Sequence, residues 1–179
     1  MSTRNVARIS AAALGLAVGL AAAAESPGLG QPITEEEAAA WDIGIGPDGA
    51  GLPAGRGTVK RGEEVFVEKC LACHGEKGVG TLADKLVGGK GTLMGDQAPV
   101  KTVGSYWPYA TTLFDYIRRA MPLGEPQSLS DNDVYALSGY ILNLSDIISK
   151  NTVMDAKSLP RVKMPNRENF FIVYPGQIK

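Results

Sequence analysis

Cys70-Leu71-Ala72-Cys73-His74 sets two thiols two residues apart, with an imidazole directly behind the second. These are the chain's two cysteines and its one histidine. Thiols about one helical turn apart can add across the two vinyl groups of a single porphyrin. A histidine that follows at once falls beneath the iron as its proximal ligand. The spacing therefore predicts one covalent haem c, bound through Cys70, Cys73 and His74. A structural zinc site would need four ligands, and the chain has no second cysteine pair. The alternative that survives on spacing alone is a thiol–disulfide redox pair.

A haem iron has a second axial position, and no second histidine exists to fill it. A thioether is the usual partner where a haem c carries electrons. Met94, Met121, Met154 and Met164 are available. Met121 is the expected ligand: it follows an amphipathic stretch, stands ahead of the last clear helix, and precedes Pro122, which fixes the adjoining backbone. Met94, in a glycine-rich loop, is the runner-up; Met154 and Met164 read as adaptable apolar packing. An iron closed on both faces has no site for peroxide, oxygen or substrate. No catalytic site of the chain's own is then expected, and the chain would pass single electrons at the haem edge. An open sixth position would instead suit a small haem peroxidase.

The elements that must hold this site are punctuated by glycine and proline, 22 and 11 of the 179 residues. Residues 1–24 read as a secretory signal: Arg4 and Arg8 form a basic start, Ile9 to Ala24 is uncharged, and small residues close the segment near Ala24. The run is short for a membrane span, so cleavage should leave no span, and export outside the cytoplasm agrees with covalent haem. Without that segment, 16 basic side chains face 19 acidic ones, which argues against nucleic acid as a partner.

Residues 25–57 read as an N-terminal arm. In it Thr34-Glu35-Glu36-Glu37 is a capping box opening a short helix with Trp41 as its apolar anchor. Ile43 to Gly57 should drape over a surface. The region 58–145 carries the helices of the domain. Gly62, Val65, Phe66, Lys69 and Cys70 recur at helical spacing. Gly75 to Gly104 is a loop long enough to need something to pack on, with Leu82, Leu86, Val87 and Leu93 as candidate wall. Thr111 or Thr112 should cap a helix with a stripe of Leu113, Tyr116, Ile117 and Ala120. Ser130 and Asp133 open the last helix, with a stripe of Val134, Leu137, Ile141 and Leu144. Residues 146–179 show no sustained period and read as an extended tail with an apolar cluster at Phe170 to Tyr174.

Gly62 and Phe66 with Leu137 and Tyr140, CxxCH at 70–74 and Met121-Pro122 together resemble the class I cytochrome c family. That resemblance covers 58–145 and implies an all-α fold, crossing first and last helices around one covalent haem, here flanked by extended arms. A narrower resemblance covers nearly the whole mature chain. Thr102-Val103-Gly104-Ser105-Tyr106-Trp107-Pro108-Tyr109-Ala110-Thr111, Arg119-Ala120-Met121-Pro122, Gln127-Ser128-Leu129-Ser130 and Val162-Lys163-Met164-Pro165-Asn166-Arg167 are similar to the cytochrome subunit of periplasmic molybdenum sulfite or sulfane dehydrogenases of the sulfur-oxidation (Sox) system. So are Ala39-Ala40-Trp41-Asp42-Ile43 and Gly51-Leu52-Pro53. The resemblance implies a molybdenum-cofactor subunit that oxidises sulfur, and a downstream cytochrome or other acceptor for the electrons this chain carries away. Some members have a second haem domain; this chain, with one CxxCH, resembles their first.

Trp41 and Phe170 to Tyr174 are residue types that a partner-binding surface uses, although the arms could instead fold over the domain's own crevice. Tyr106-Trp107-Pro108-Tyr109 could line the haem or form a rigid aromatic loop. Arg118, Arg119 and Lys85 could neutralise propionates or stand as solvated surface. The alternative to a dedicated subunit is a free-standing soluble electron carrier.

Overall fold

The computed structural model describes residues 29–96 and 98–171. The expected signal at 1–24 and residues 172–174 of the apolar cluster lie outside them. The chain divides into two units, 1–42 and 43–179. Among the described residues no helix is long and apolar enough to cross a membrane.

In the first unit, Thr34 opens helix α1 (Glu35–Trp41) with the expected reciprocal cap. The Thr34 hydroxyl accepts the Glu37 amide at 3.2 Å, and the Glu37 carboxylate accepts the Thr34 amide at 2.8 Å. These bonds hold the Glu37 carboxyl below its ordinary pKa. The helix buries none of its side chains, so the expected anchor, Trp41, stands exposed. What supports α1 locally is its cap and the three glutamates at its positive end.

The second unit is built on helices α2 (Val59–Lys69), α3 (Leu71–His74), α4 (Ala110–Ala120) and α5 (Asp131–Leu144). A two-stranded antiparallel ladder, β1 (Arg56–Thr58) with β2 (Val153–Asp155), sets Gly57 opposite Met154. Helix α2 begins where Thr58 accepts the Arg61 amide at 3.1 Å. Helix α5 begins where Ser130 accepts the Asp133 amide at 3.2 Å and donates to the Asp133 carboxylate at 2.9 Å. Both ends follow from the sequence: a short hydroxyl side chain satisfies an amide that the first turn leaves without a partner.

Helix α5 lies close to both α2 and β1 because two glycines permit it. A β-carbon at Gly62 would collide with the Ala136 carbonyl, and one at Gly57 with the Ala136 amide. With no side chain there, Phe66 reaches Tyr140 at 5.3 Å between ring centroids. Val134 to Leu142 are all buried, so α5 is covered on nearly every side and not only along the expected stripe.

Helix α4 departs from expectation in two ways. Its cap residue is Tyr109, with no side-chain cap, and not Thr111 or Thr112. Thr111 is buried and turns its hydroxyl to the Pro47 carbonyl at 3.4 Å. Its buried face centres on Phe114, flanked by Ala110, Leu113 and Ile117, whereas Tyr116 is half exposed and meets Trp107 edge-on at 6.0 Å. The stripe read as 113, 116, 117 and 120 was therefore rotated: 110, 114 and 117 lie one turn apart on the same side.

The glycine-rich run 43–57 does drape, and side chains pin it. Asp115 accepts the Ile45 amide at 3.2 Å, the Tyr135 hydroxyl donates to the Pro53 carbonyl at 2.8 Å, and Asn132 accepts the Arg56 amide at 2.8 Å. Residues 146–171 turn back onto the domain. Met154, Leu159 and Met164 are buried in the same core as Phe66, Phe114 and Leu137. Asn166 then donates to the Tyr106 carbonyl at 2.7 Å, and Phe170 meets the Tyr106 ring edge-on at 5.3 Å. The described tail packs on its own domain.

Candidate functional site

Cys70 closes α2 and opens α3, a single turn that carries the rest of the motif. The Cys70 carbonyl accepts the Cys73 amide at 3.2 Å and the His74 amide at 2.9 Å, so both thiols and the imidazole hang from one turn of helix. Residues 80–84 wrap the end of that turn. The Thr81 hydroxyl and the Ala83 amide both donate to the Cys73 carbonyl, at 2.7 and 2.9 Å, and the Gly80 amide donates to the His74 carbonyl at 2.7 Å. These bonds supply the partners that the last carbonyls of a helix lack.

The same loop orients the imidazole. His74 Nδ1 lies 3.1 Å from the Asp84 carbonyl oxygen. A carbonyl only accepts, so Nδ1 carries the hydrogen and Nε2 keeps its lone pair for a metal. Asp84 contributes through its backbone, which no residue pattern could have announced. Among the described residues no group of three or more His, Cys, Asp or Glu could hold a metal ion.

Burial pushes the Cys70 thiol up to about 11, with the neighbouring Cys73 adding to the rise. A thiol–disulfide pair works through a thiolate stabilised near neutral pH. Here the shift runs the other way, which removes the support for the redox-pair alternative.

The core ends in a half-buried apolar rim to which Cys70 of the motif belongs. Cys70, Leu86, Trp107, Met121 and Leu129 all pack against the core without being enclosed by it. A flat apolar group with two reactive vinyls fits such a rim. Of the expected wall, Leu86, Val87 and Leu93 are half-buried, and Leu82 is exposed.

The four methionines separate cleanly. Met154 and Met164 are buried in the core; Met94, in the 3₁₀ turn Thr92–Met94, is 93% exposed. Met121 caps the C-terminus of α4, its amide donating to the Ile117 carbonyl at 3.1 Å. Its backbone is extended, as a residue before proline requires. Arg118 and Arg119 are taken up by carboxylates, Arg118 by Asp131 at 3.2 Å and Arg119 by Asp115.

The family model described as "Cytochrome C oxidase, cbb3-type, subunit III" matches residues 57–141. A thiosulfate dehydrogenase of Psychrobacter arcticus is 29% identical over 117 residues, 63% of this chain and 35% of that protein. A thiosulfate dehydrogenase of Allochromatium vinosum is 35% identical over 83 residues, 45% of this chain and 29% of that protein. The chain thus spans about a third of the length of these curated relatives. The crystal structure of the sulfane dehydrogenase SoxCD from Paracoccus pantotrophus matches with a TM-score of 0.75 at 40% identity, covering 85% of this chain and 73% of that one.

Proposed function

Because the chain belongs to the class I cytochrome c family and so carries a covalent haem c, we propose that it is a monohaem electron-transfer subunit of a periplasmic sulfur-compound dehydrogenase. In this reading a molybdenum-cofactor subunit oxidises sulfite or a sulfane, and this chain takes the electrons singly to another cytochrome. The similarity to the sulfane dehydrogenase SoxCD across most of both chains supports the assignment. The single observation that carries the site is His74, with Nδ1 held by the Asp84 carbonyl and Nε2 left free to ligate.

Cys70 and Cys73 would hold haem c through thioethers, and His74 and Met121 would be the two protein ligands of its iron. When bound, haem c supplies a one-electron iron couple. The chain's own residues do the rest. The α3 turn fixes the proximal imidazole, and residues 80–84 lock that turn. The Met121 thioether would be the second protein ligand of the iron, which would favour the ferrous state and exclude small molecules. Trp107, Leu86 and Leu129, half-buried at the edge of the core, would supply apolar contact to the ring.

The test is affinity purification of the exported protein from its native periplasm with metal analysis. Molybdenum should co-elute with haem iron, and elution as a colourless chain or as a monomer without molybdenum would overturn the subunit reading. The ligand assignment has its own test. Met121→Ala should remove the methionine-ligated low-spin spectrum and let carbon monoxide bind the reduced protein readily. An unchanged spectrum would refute Met121, and ready carbon monoxide binding by the unaltered protein would point to a haem enzyme.

A further inference from the structure

Residues 80–86 carry the carbonyl that faces His74 Nδ1. Among the described residues of that segment, Thr81 is the one whose side chain makes a hydrogen bond. Its two branches do separate work. The hydroxyl donates to the Cys73 carbonyl at 2.7 Å, an acceptor it shares with the Ala83 amide at 2.9 Å. The methyl lies over Gly75, where a β-carbon would stand 2.9 Å from it. Gly75 has a φ of +74°, so a side chain there would be strained as well as crowded. The glycine directly behind the histidine and the branched hydroxyl residue six positions on therefore fit each other. With both branches engaged, Thr81 has little freedom about χ1.

The Asp84 carbonyl is held between two moorings. On one side are the bonds of Gly80, Thr81 and Ala83 to the carbonyls of Cys73 and His74. On the other, the Leu86 amide donates to the Gly78 carbonyl at 2.9 Å, and the Leu86 carbonyl accepts the Val103 amide at 3.2 Å. Gly78 and Gly80 both have positive φ, so the chain leading into Thr81 bends at two glycines. Without the Thr81 hydroxyl, the first mooring would rest on backbone bonds alone, and the Asp84 carbonyl could drift from Nδ1.

We infer that the Thr81 hydroxyl positions the proximal imidazole by holding the Asp84 carbonyl against Nδ1, and that this hold lowers the reduction potential of the haem-loaded chain. The inference rests on His74 as an iron ligand, and not on Met121 or on a partner subunit. A firm bond from Nδ1–H to a carbonyl makes an imidazole a stronger donor through Nε2. A stronger donor favours ferric over ferrous iron, the opposite of what a thioether does. The Thr81 bond is itself exposed, so water competes for it and it adds little to folding stability. Its loss should therefore be read in the potential first.

The test compares haem-loaded Thr81→Val, Thr81→Ser and Thr58→Val. Valine keeps the branched shape and removes the donor, whereas serine keeps the donor and removes the methyl. Thr58 accepts the Arg61 amide at the far end of the 11-residue helix α2, about 16 Å from Cys70, so its loss weakens the fold away from the motif. Thr81→Val should raise the potential by about 30 mV, roughly a threefold shift toward ferrous iron at about 59 mV per tenfold. In the reduced protein, NMR should show the His74 Nδ1 proton exchanging about threefold faster or more. Thr81→Ser should recover most of both changes. Thr58→Val should lower the guanidinium midpoint and leave the potential in place. An unaltered potential in Thr81→Val would overturn the inference, whatever its midpoint does. So would an equal rise in Thr58→Val, or a serine variant that shifts as far as the valine one. The ligand assignment beneath it fails by a different sign: a His74 ring without paramagnetically displaced resonances in the oxidised, unaltered protein would bring down both.

Discussion

The crossing of α2 and α5 and the loop from Gly75 to Gly104 hold themselves together by different means. Around α5, buried side chains interlock: Phe66 of α2 on Tyr140, Phe114 of α4 on Tyr135 at 4.5 Å, and Gly62 of α2 and Gly57 of β1 against the backbone of Ala136. In the loop, Gly75 and Gly78 are the buried ones among the described residues between 75 and 100. Order there comes from hydrogen bonds instead. Thr102 donates to the Gly88 carbonyl at 2.8 Å, Ser105 to the Val100 carbonyl at 2.7 Å, and Thr92 to the Gly89 carbonyl at 2.7 Å. One half of the domain carries its own core, whereas on the proposed reading the other would take its apolar filling from the porphyrin. A hydrogen-bonded loop with little buried apolar area opens at low free-energy cost, so a bound cofactor would be a structural part of that half.

Removing the attachment should separate the halves most. Cys70→Ser with Cys73→Ser should leave all colour extractable by acidified acetone. Amide exchange should then rise far more in 75–104 than in Val134–Leu142. Equal rises in both segments would break the comparison. Overpacking should act on the crossing alone. Gly62→Ala drives a methyl into the Ala136 carbonyl and should cost about 3 kcal/mol. Gly95→Ala, in the loop, meets nothing within 4 Å and has no positive φ, so it should stay within about 0.5 kcal/mol. Guanidinium midpoints of the oxidised haem protein measure both, and similar shifts would show that the loop is packed after all.

The same division governs what the sequence could disclose. The crossing was legible because periodicity and hydroxyl caps are local: Thr58 and Ser130 start helices where their patterns begin. The motif at 70–74 was legible because its chemistry fixes its spacing. Helix α4 was misread at its start because Thr111, a good cap by type, spends its hydroxyl on Pro47, 64 residues away. The tail was opaque for a related reason. Its buried anchors, Met154, Leu159 and Met164, recur every five residues, which is neither a helical nor a strand period. The loop's hydrogen bonds were invisible altogether, because Thr and Ser announce no partner. They carry the next prediction: Ser105→Ala strands the Val100 carbonyl and the Thr102 amide, which bonds Ser105 Oγ at 2.9 Å. The cost should be about 1–2 kcal/mol in the guanidinium midpoint, with exchange rising in 88–105 and not in α5.

The smallest effect belongs to the surface of the crossing, where charge and not packing joins α2 to α5. Arg61 donates from Nε to Asp133 at 2.8 Å, and this hydrogen bond is the chief reason the Asp133 carboxyl lies below its ordinary pKa. A lowered carboxyl binds its proton less tightly in the folded state than in the unfolded one, so it favours folding wherever the unfolded carboxyl is already ionised. The contribution is therefore complete above the unfolded carboxylate pKa of about 3.9 and is lost as pH falls through the lower folded value. Arg61 is half exposed, so salt screens the pair and its share is small. Asp133→Asn should accordingly be slightly less stable than the unaltered protein at pH 7, and the gap should close below about pH 3. Acid acts on the haem ligands of both proteins alike, so the difference between their midpoints isolates the pair. A gap that persists undiminished in acid would assign the loss to the Ser130 cap, whose hydroxyl Asp133 also accepts at 2.9 Å, and not to the ion pair.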